Sequence, residues 1–467
     1  MSSLSPRAAE DRRLRRPAGR RGRIGAGTAA LACATALLTG LTGPAAAAPA
    51  TSDTAAARVD NPYVGAVPYV NPEWSAHAAG EPGGAAVSGE PTAVWLDSIA
   101  SINGEAGGMG LKEHLDTALA QGAGLVQLVL YDLPGRDCGS LTSDGELGPD
   151  EIDRYEAEYI DPIAAIVSDP AYADLRIVTI VEPGALESLV LHTGSRAAAT
   201  PECDTMKANG NYLKGIGYAL THLGALSHVY AYLDAGYHGS VGWADDSGPL
   251  VTLLGQAAQA NGGTFDDVAG FIVNTADYGV LHEEYFTVDD KVNGVSVIQS
   301  RWVDWNQFVD ELPFALSLRQ RAIADGFSTG TGILVDTSRN GWGGPKRPTG
   351  PGPSTDVNAY VDGGRLDRRV SYTAWCNQDG AGLGERPTVS PQSGIDAYVW
   401  AKPPGESDGP ANNPGAGLSN ECDPDGNLGP IGDTNHPTGA LPGAPGYGEW
   451  FPTQFRQLLA NAWPPVD

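Results

Sequence analysis

The chain has 467 residues, with 29 basic against 56 acidic side chains and a formal net charge of −27. A surface that acidic repels polyphosphates and anionic bilayers, which excludes nucleic acid and membranes as partners. It suits a soluble protein, expected to be a monomer, that acts on a neutral substrate.

Residues 7–23 hold eight arginines, an Ala/Leu/Gly-rich stretch follows from Ile24 to Leu41, and Pro44 to Ala50 supplies small residues for cleavage. This three-part layout reads as a secretory signal peptide over residues 1–48, and hence as a secreted, extracellular protein. Its removal takes away eight basic but only two acidic residues, so the remainder is more acidic still. Residues 49–70 form an N-terminal arm too rich in proline for a helix. No break in composition divides residues 71–467, which read as one domain.

Within it seven apolar runs are expected to be buried parallel strands, and each stops at a polar or charged residue. They are AVWLDSI (Asp97), LVQLVLYDLPGRDC (Asp132, Asp137), RIVTIVEPG (Glu182), HVYAYLDAG (Asp234), VAGFIVNTADY (Asn274, Asp277), GILVDTSRNG (Asp336) and DAYVWAKPPGESDG (Lys402, Glu406, Asp408). Continuous Val/Ile/Leu runs are what a parallel sheet covered on both faces requires. Amphipathic stretches between them predict helices over residues 111–122, 150–169, 211–226, 249–262 and 305–326, and a last one within 447–465. Strand C-termini carry the chemistry in closed α/β barrels, so the carboxylates should converge on one cleft. Three Gly/Pro-rich insertions, residues 278–300, 341–375 and 403–447, follow strand ends and are expected to act as lids. No separate aromatic-rich module is seen, so polymer binding is expected from the barrel itself.

After the leader, four cysteines remain: Cys138, Cys203, Cys376 and Cys422. None has CxxC spacing, and an even count in an exported chain suggests two disulfides. Of the three connectivities we take the sequential one. His77, His238 and His282 lack partners at ligand spacing, so neither metal nor cofactor is expected. SRNGWGGPKRP lacks the Walker pattern and does not read as a phosphate loop. Trp95, Trp243, Trp342, Trp375 and Trp400 stand at or near strand ends, where each is either core or a platform for a pyranose face.

The strings VLYDLPGRDCGSLTSDGE, YLDAGYHGSVGW, VNTADY, VDTSRNGWGGPKRPT, WCNQDGAGLGERP and AYVWAKPPGESDG, in this order, resemble glycoside hydrolase family 6, the inverting cellulases, over about Asn61 to Pro465. The resemblance implies an α/β fold, a distorted seven-stranded parallel β/α barrel with long lid loops over the C-terminal face of the strands. It also implies a secreted, cellobiohydrolase-like hydrolase of cellulose. Position by position, Asp137 is similar to the aspartate that raises the acid's pKa, Tyr131 to the tyrosine that presses on the distorted ring, Ser143 to the serine that holds the water, and Asp408 to the proposed base. Asp234 matches a further aspartate of the site, and Trp95, Asn274, Trp375, Lys402 and Glu406 match sugar-binding positions. Asp97 is added as substrate-binding, with a structural hub as its other reading, one that Asp336 shares.

Two positions depart from the pattern. The family's general acid is the aspartate of an IEPD motif, and this chain reads VEPG with Gly184 in that place. Ser240 stands where the family carries a tryptophan on the leaving side. Glu187, about a helical turn past Gly184, is a possible substitute acid, and equally an ordinary acid of a first helical turn. The expectation is therefore a β-1,4-glucan hydrolase of reduced or altered activity, with a non-catalytic glucan-binding protein as the alternative.

Overall fold

The computed structural model describes residues 58–105, 107–140, 145–411, 421–431 and 434–466, which lie in a unit spanning Thr54–Asp467. The expected leader, residues 49–57 of the arm, Ser143 and residues 412–420 of the third insertion fall outside the described residues.

The strands in chain order are β1 (Val94–Leu96), β2 (Leu125–Leu130), β3 (Arg176–Val181), β4 (Val229–Asp234), β5 (Gly270–Val273), β6 (Lys291–Val292), β7 (Val295–Ser296), β8 (Gly332–Asp336), β9 (Thr388–Gln392), β10 (Ile395–Val399), β11 (Asn427–Ile431) and β12 (Thr434–Pro437). Eight form one sheet in the order β1-β2-β3-β4-β5-β8-β10-β9. The neighbours from β1 to β10 run parallel and coincide with the apolar runs, whereas β9 pairs antiparallel with β10. The seven parallel strands are thus joined by an eighth that was not expected, the antiparallel β9. Its polar sequence, TVSPQ, is mostly exposed and holds Pro391, so β9 lacks the apolar run by which the other strands are recognised. The sheet curls until its ends meet at a single bridge, Thr92 to Trp400, where the Ala93 N–H donates to the Trp400 carbonyl at 3.1 Å.

Alternate residues on each strand enter different cores, as a period of two requires. Val126, Leu128, Ile177, Ala231, Leu233 and Val335 pack against the helices. Val129, Val178, Ile180, Tyr230, Tyr232 and Leu334 fill the inside of the curl. The interior is therefore packed with side chains.

Helices form where the apolar spacing predicts, with local differences. Leu111–Gln121 ends at Gly122, whose φ of 72° provides the left-handed C-terminal turn. The segment predicted over 150–169 passes through a π-helical stretch at Tyr155–Ile160. The helix expected from residue 305 begins only at Glu311, because Asp304 and Trp305 hold left-handed backbone that a helix cannot contain. Of the insertions, the first contains the β6-β7 hairpin, the second the helix Val357–Gly364, and the third the β11-β12 pair. The tail forms the helix Pro452–Ala460, whose Phe455 and Leu458 pack with Trp74, Trp342 and Trp400.

Both disulfides take the sequential pairing, Cys138–Cys203 and Cys376–Cys422, with sequence separations of 65 and 46. Loops of that size stabilise by about 4 kcal/mol each in the loop-entropy account. Accordingly, a Cys138→Ser/Cys203→Ser double variant is expected to lose about that much unfolding free energy, read as a lower urea midpoint under non-reducing conditions. An unchanged midpoint would show that the bridge constrains nothing the fold does not already hold.

Candidate active site

Polar residues at the strand ends are brought together on one face, and several do so at a conformational cost. Asp137, Glu182 and Asn274 adopt φ values of 56°, 51° and 64°, left-handed backbone that non-glycine residues hold only where the surroundings enforce it. Cys138 ties the Asp137 loop to the helix Pro201–Asn209, and Cys376 ties the segment beside Asp408 to Cys422.

At the end of β2 the Tyr131 hydroxyl donates to Asp137 Oδ1 at 2.6 Å. Arg136 lies over the Tyr131 ring at 4.5 Å, reaches Asp137 Oδ2 at 3.8 Å and donates to the Asp97 carbonyl at 2.7 Å. Behind them Asp132 is fully buried, and neither of its carboxyl oxygens has a hydrogen-bond partner among the described residues. Glu182 accepts from the Tyr155 hydroxyl at 2.8 Å and from the backbone N–H groups of Asp132 and Leu133.

Gly184 ends the β3 segment with φ 74°, and a Cβ built on it meets no atom within 4 Å. Its N–H donates to Asp234 Oδ1 at 3.1 Å, as does that of Gly236. Glu187, in the first turn of Ala185–Leu191, is half-buried with its carboxyl against Gly236. Ser240 donates to the Tyr237 carbonyl at 3.0 Å and stands beside Glu187.

On the far side, Asp408 is held at both oxygens by Arg339 at 2.7 and 2.6 Å, and accepts from the Tyr278 hydroxyl and the Asn377 N–H. Lys402 stands 3.8 Å from it and lies over the Trp95 ring at 5.3 Å. The Trp95 indole N–H donates to the Ala401 carbonyl, joining the first strand to the last. Asp336 accepts from the backbone N–H groups of Ala276, Ser338 and Lys402, and so acts as the hub of three loops. Asn274 is fully buried, with its amide divided between the Asp336 carbonyl and the Gly279 N–H. Glu406 and Trp375 are half-buried in the same region of the chain.

Of the five tryptophans, Trp342 and Trp400 belong to the core. Both are almost fully buried, and their indole N–H groups are used by the carbonyls of Tyr278 and Glu385. Trp95, Trp243 and Trp375 stay half-buried and retain an accessible face. The sequence reading missed the arginines: Arg339 on Asp408, and Arg369 between Asp367 and Asp277. Their signal was the need of so many buried carboxylates for cations. Among the described residues no group of His, Cys, Asp and Glu could hold a metal ion, and no helix is long and apolar enough to cross a membrane.

Burial dominates the titration of the cluster. It pushes Asp132 up to about 8, with the neighbouring Glu182 charge adding to the effect, and Glu182 itself up to about 7. It also pushes Asp234 and Asp277 up to about 6, and Glu406 up to about 7. Carboxyls raised in this way keep protons that the unfolded chain releases near pH 4, so the folded state binds more protons between these values. The stabilisation from these carboxyls is therefore fully present below about pH 4 and is lost as pH rises toward 8, read as a declining unfolding midpoint between about pH 5 and 8. A midpoint that rises over the same window would contradict the burial of protonated carboxyls.

Comparison with known proteins agrees with this geometry. The family model for glycosyl hydrolases family 6 matches residues 57–462. Exoglucanase A of Cellulomonas fimi is 44% identical over 445 residues, covering 89% of this chain but 50% of its own length, so the chain spans about half of that relative. Exoglucanase 2 of Hypocrea jecorina is 29% identical over 424 residues, 86% of this chain and 75% of its own. Among solved structures, the catalytic domain of Cellulomonas fimi Cel6B superposes with a TM-score of 0.81 at 42% identity, covering 88% of this chain and 97% of that one. The cellobiohydrolase II (Cel6A) of Humicola insolens, in complex with glucose and cellotetraose, gives 0.66 at 27% identity over 87% and 99%. With its family model matched from the arm to the tail helix, the chain belongs to glycosyl hydrolases family 6.

Proposed function

We propose that the protein is a secreted β-1,4-glucan hydrolase, cellobiohydrolase-like and inverting, whose turnover on unactivated linkages is reduced because Gly184 occupies the place of the general acid. The observation that carries this reading is the Tyr131, Arg136 and Asp137 cluster joined through Trp95 and Lys402 to Asp408 with its Arg339 clamp, an arrangement a pure binding protein does not need. The names of the relatives, exoglucanases and 1,4-beta-D-glucan cellobiohydrolases, support the substrate.

In inversion, water attacks the anomeric carbon opposite the leaving oxygen, and the two carboxyl groups stand roughly 6.5–9.5 Å apart to admit it. Asp137, bonded to Tyr131 and close to Arg136, is suited to remain charged and stabilise the positive transition state. Asp408 has both oxygens engaged by Arg339, so its role is better described as fixing the water-side electrostatics than as direct proton abstraction. Ser143 retains its assignment to the attacking water. Trp95, Trp375, Lys402, Glu406 and Asp97 would contact sugar, while Asn274 and Asp234 would shape the loops that do.

The test compares the wild type with Gly184→Asp, a substitution for which the structure leaves open space, at a left-handed φ of 74° that aspartate adopts at some cost in stability, so the folding of the variant is checked by its unfolding midpoint. A positioned general acid contributes about 10²–10⁴ in rate, so the variant is expected to release sugar from swollen cellulose at least about tenfold faster. Both proteins should hydrolyse dinitrophenyl cellobioside, whose leaving group needs no proton, at similar rates and with the α-anomer as first product by NMR. Cello-oligosaccharide binding without product from either substrate would favour the glucan-binding alternative.

A further inference from the structure

The two departures from the family pattern surround one carboxyl group. Glu187 Oε2 lies where a Cβ on Gly236 would approach it to 2.3 Å, so the carboxyl in its present position rests in a niche beside Gly236. Gly236 has φ 64°, a second reason for glycine there. The Ser240 hydroxyl stands beside the same carboxyl. Across from it is Asp234, the carboxylate that receives the Gly184 and Gly236 N–H groups. Gly184 and Gly236 both donate to Asp234, and Glu187 lies against Gly236 and beside Ser240, so the two departures from the family pattern and this carboxyl, one helical turn past Gly184, share one neighbourhood.

We infer that Glu187 is the proton donor of this chain, with Ser240 as its positioning residue. The inference rests on the hydrolase reading above. In the step it serves, a water oxygen bonds to the anomeric carbon as the bond to the leaving oxygen breaks. Glu187 gives its proton to that oxygen, the water's proton passes to solvent, and Glu187 is reprotonated from solvent.

The surroundings favour a protonated Glu187. Burial pushes its carboxyl well above the ordinary range, and Asp234 at the end of β4, Asp277 beyond β5 and Glu311 at the start of its helix add to the rise, while Ser240 opposes it. Glu311 is itself bonded to His238, and Asp277 to Arg369 at 2.9 Å; Tyr237 completes the surroundings. A carboxyl pressed by like charges at a half-buried site keeps its proton to a higher pH, which a general acid needs.

The experiment follows cellotetraose and dinitrophenyl cellobioside hydrolysis by wild type, Glu187→Gln, Ser240→Ala, Gly184→Asp and the Gly184→Asp/Glu187→Gln double variant. Glu187→Gln is expected to lose about 10²-fold or more on cellotetraose but less than about tenfold on the activated substrate. In the Gly184→Asp background the same change should cost only a few-fold, since the restored acid makes Glu187 dispensable. Ser240→Ala removes a group that favours the charged form, so the alkaline limb of kcat should move to higher pH. Equal losses on both substrates in both backgrounds would mark Glu187 as structural, and no loss in either would remove it from the reaction; each overturns the inference. Wild type that cleaves only the dinitrophenyl substrate would sink the donor while leaving the hydrolase reading in place, and wild type that binds cellotetraose but cleaves neither would sink both.

Discussion

Desolvation of carboxyl groups is the constraint on which the rest of the structure depends. A parallel sheet with both faces covered directs its strand ends to one side, and in this chain those ends carry Asp132, Glu182, Asp234, Asp336 and Asp408, all buried. Isolated buried charges cost several kcal/mol each, so they must be paired, hydrogen-bonded or neutralised. The chain uses all three solutions. Asp408 is paired with Arg339, Asp336 is bonded by three backbone N–H groups, and Asp132 is raised until it is protonated at neutral pH.

This division has chemical consequences. Acidic groups beside arginines are favoured in the charged form and can stabilise positive charge on a sugar, whereas groups pressed by burial and like charges retain a proton that can be given away. Asp137, bonded by Tyr131 and near Arg136, belongs to the first set, and Glu187, pressed by Asp234 and Asp277, to the second. The left-handed backbone at Asp137 and Glu182 and the disulfide next to Asp137 hold this arrangement against relaxation. Strain of that kind persists only where neighbouring structure over-determines it.

Much of this was legible in the sequence, for identifiable reasons. The parallel strands announced themselves as apolar runs because both of their faces are buried, and the carboxylates at their ends were visible because each run stops abruptly. β9 was not legible, since an exposed edge strand with proline and serine carries no hydrophobic pattern. The late start of the helix at Glu311 depends on left-handed backbone at Asp304 and Trp305, which periodicity does not encode. Trp342 and Trp400 stayed open between core and platform because chain position cannot distinguish a side chain facing the cleft from one turned into the core. Arg339 and Arg369 escaped notice because their partners are distant in sequence, as was the niche at Gly236 that receives Glu187.

The most direct measurement is a crystal structure of the protein with a thio-linked cello-oligosaccharide spanning the cleavage point. With the proton donor moved from position 184 to Glu187, the Glu187 carboxyl should stand within about 3.2 Å of the interglycosidic atom, or reach it through one ordered water. A carboxyl that stays in the Gly236 niche, with neither contact, would contradict the assignment.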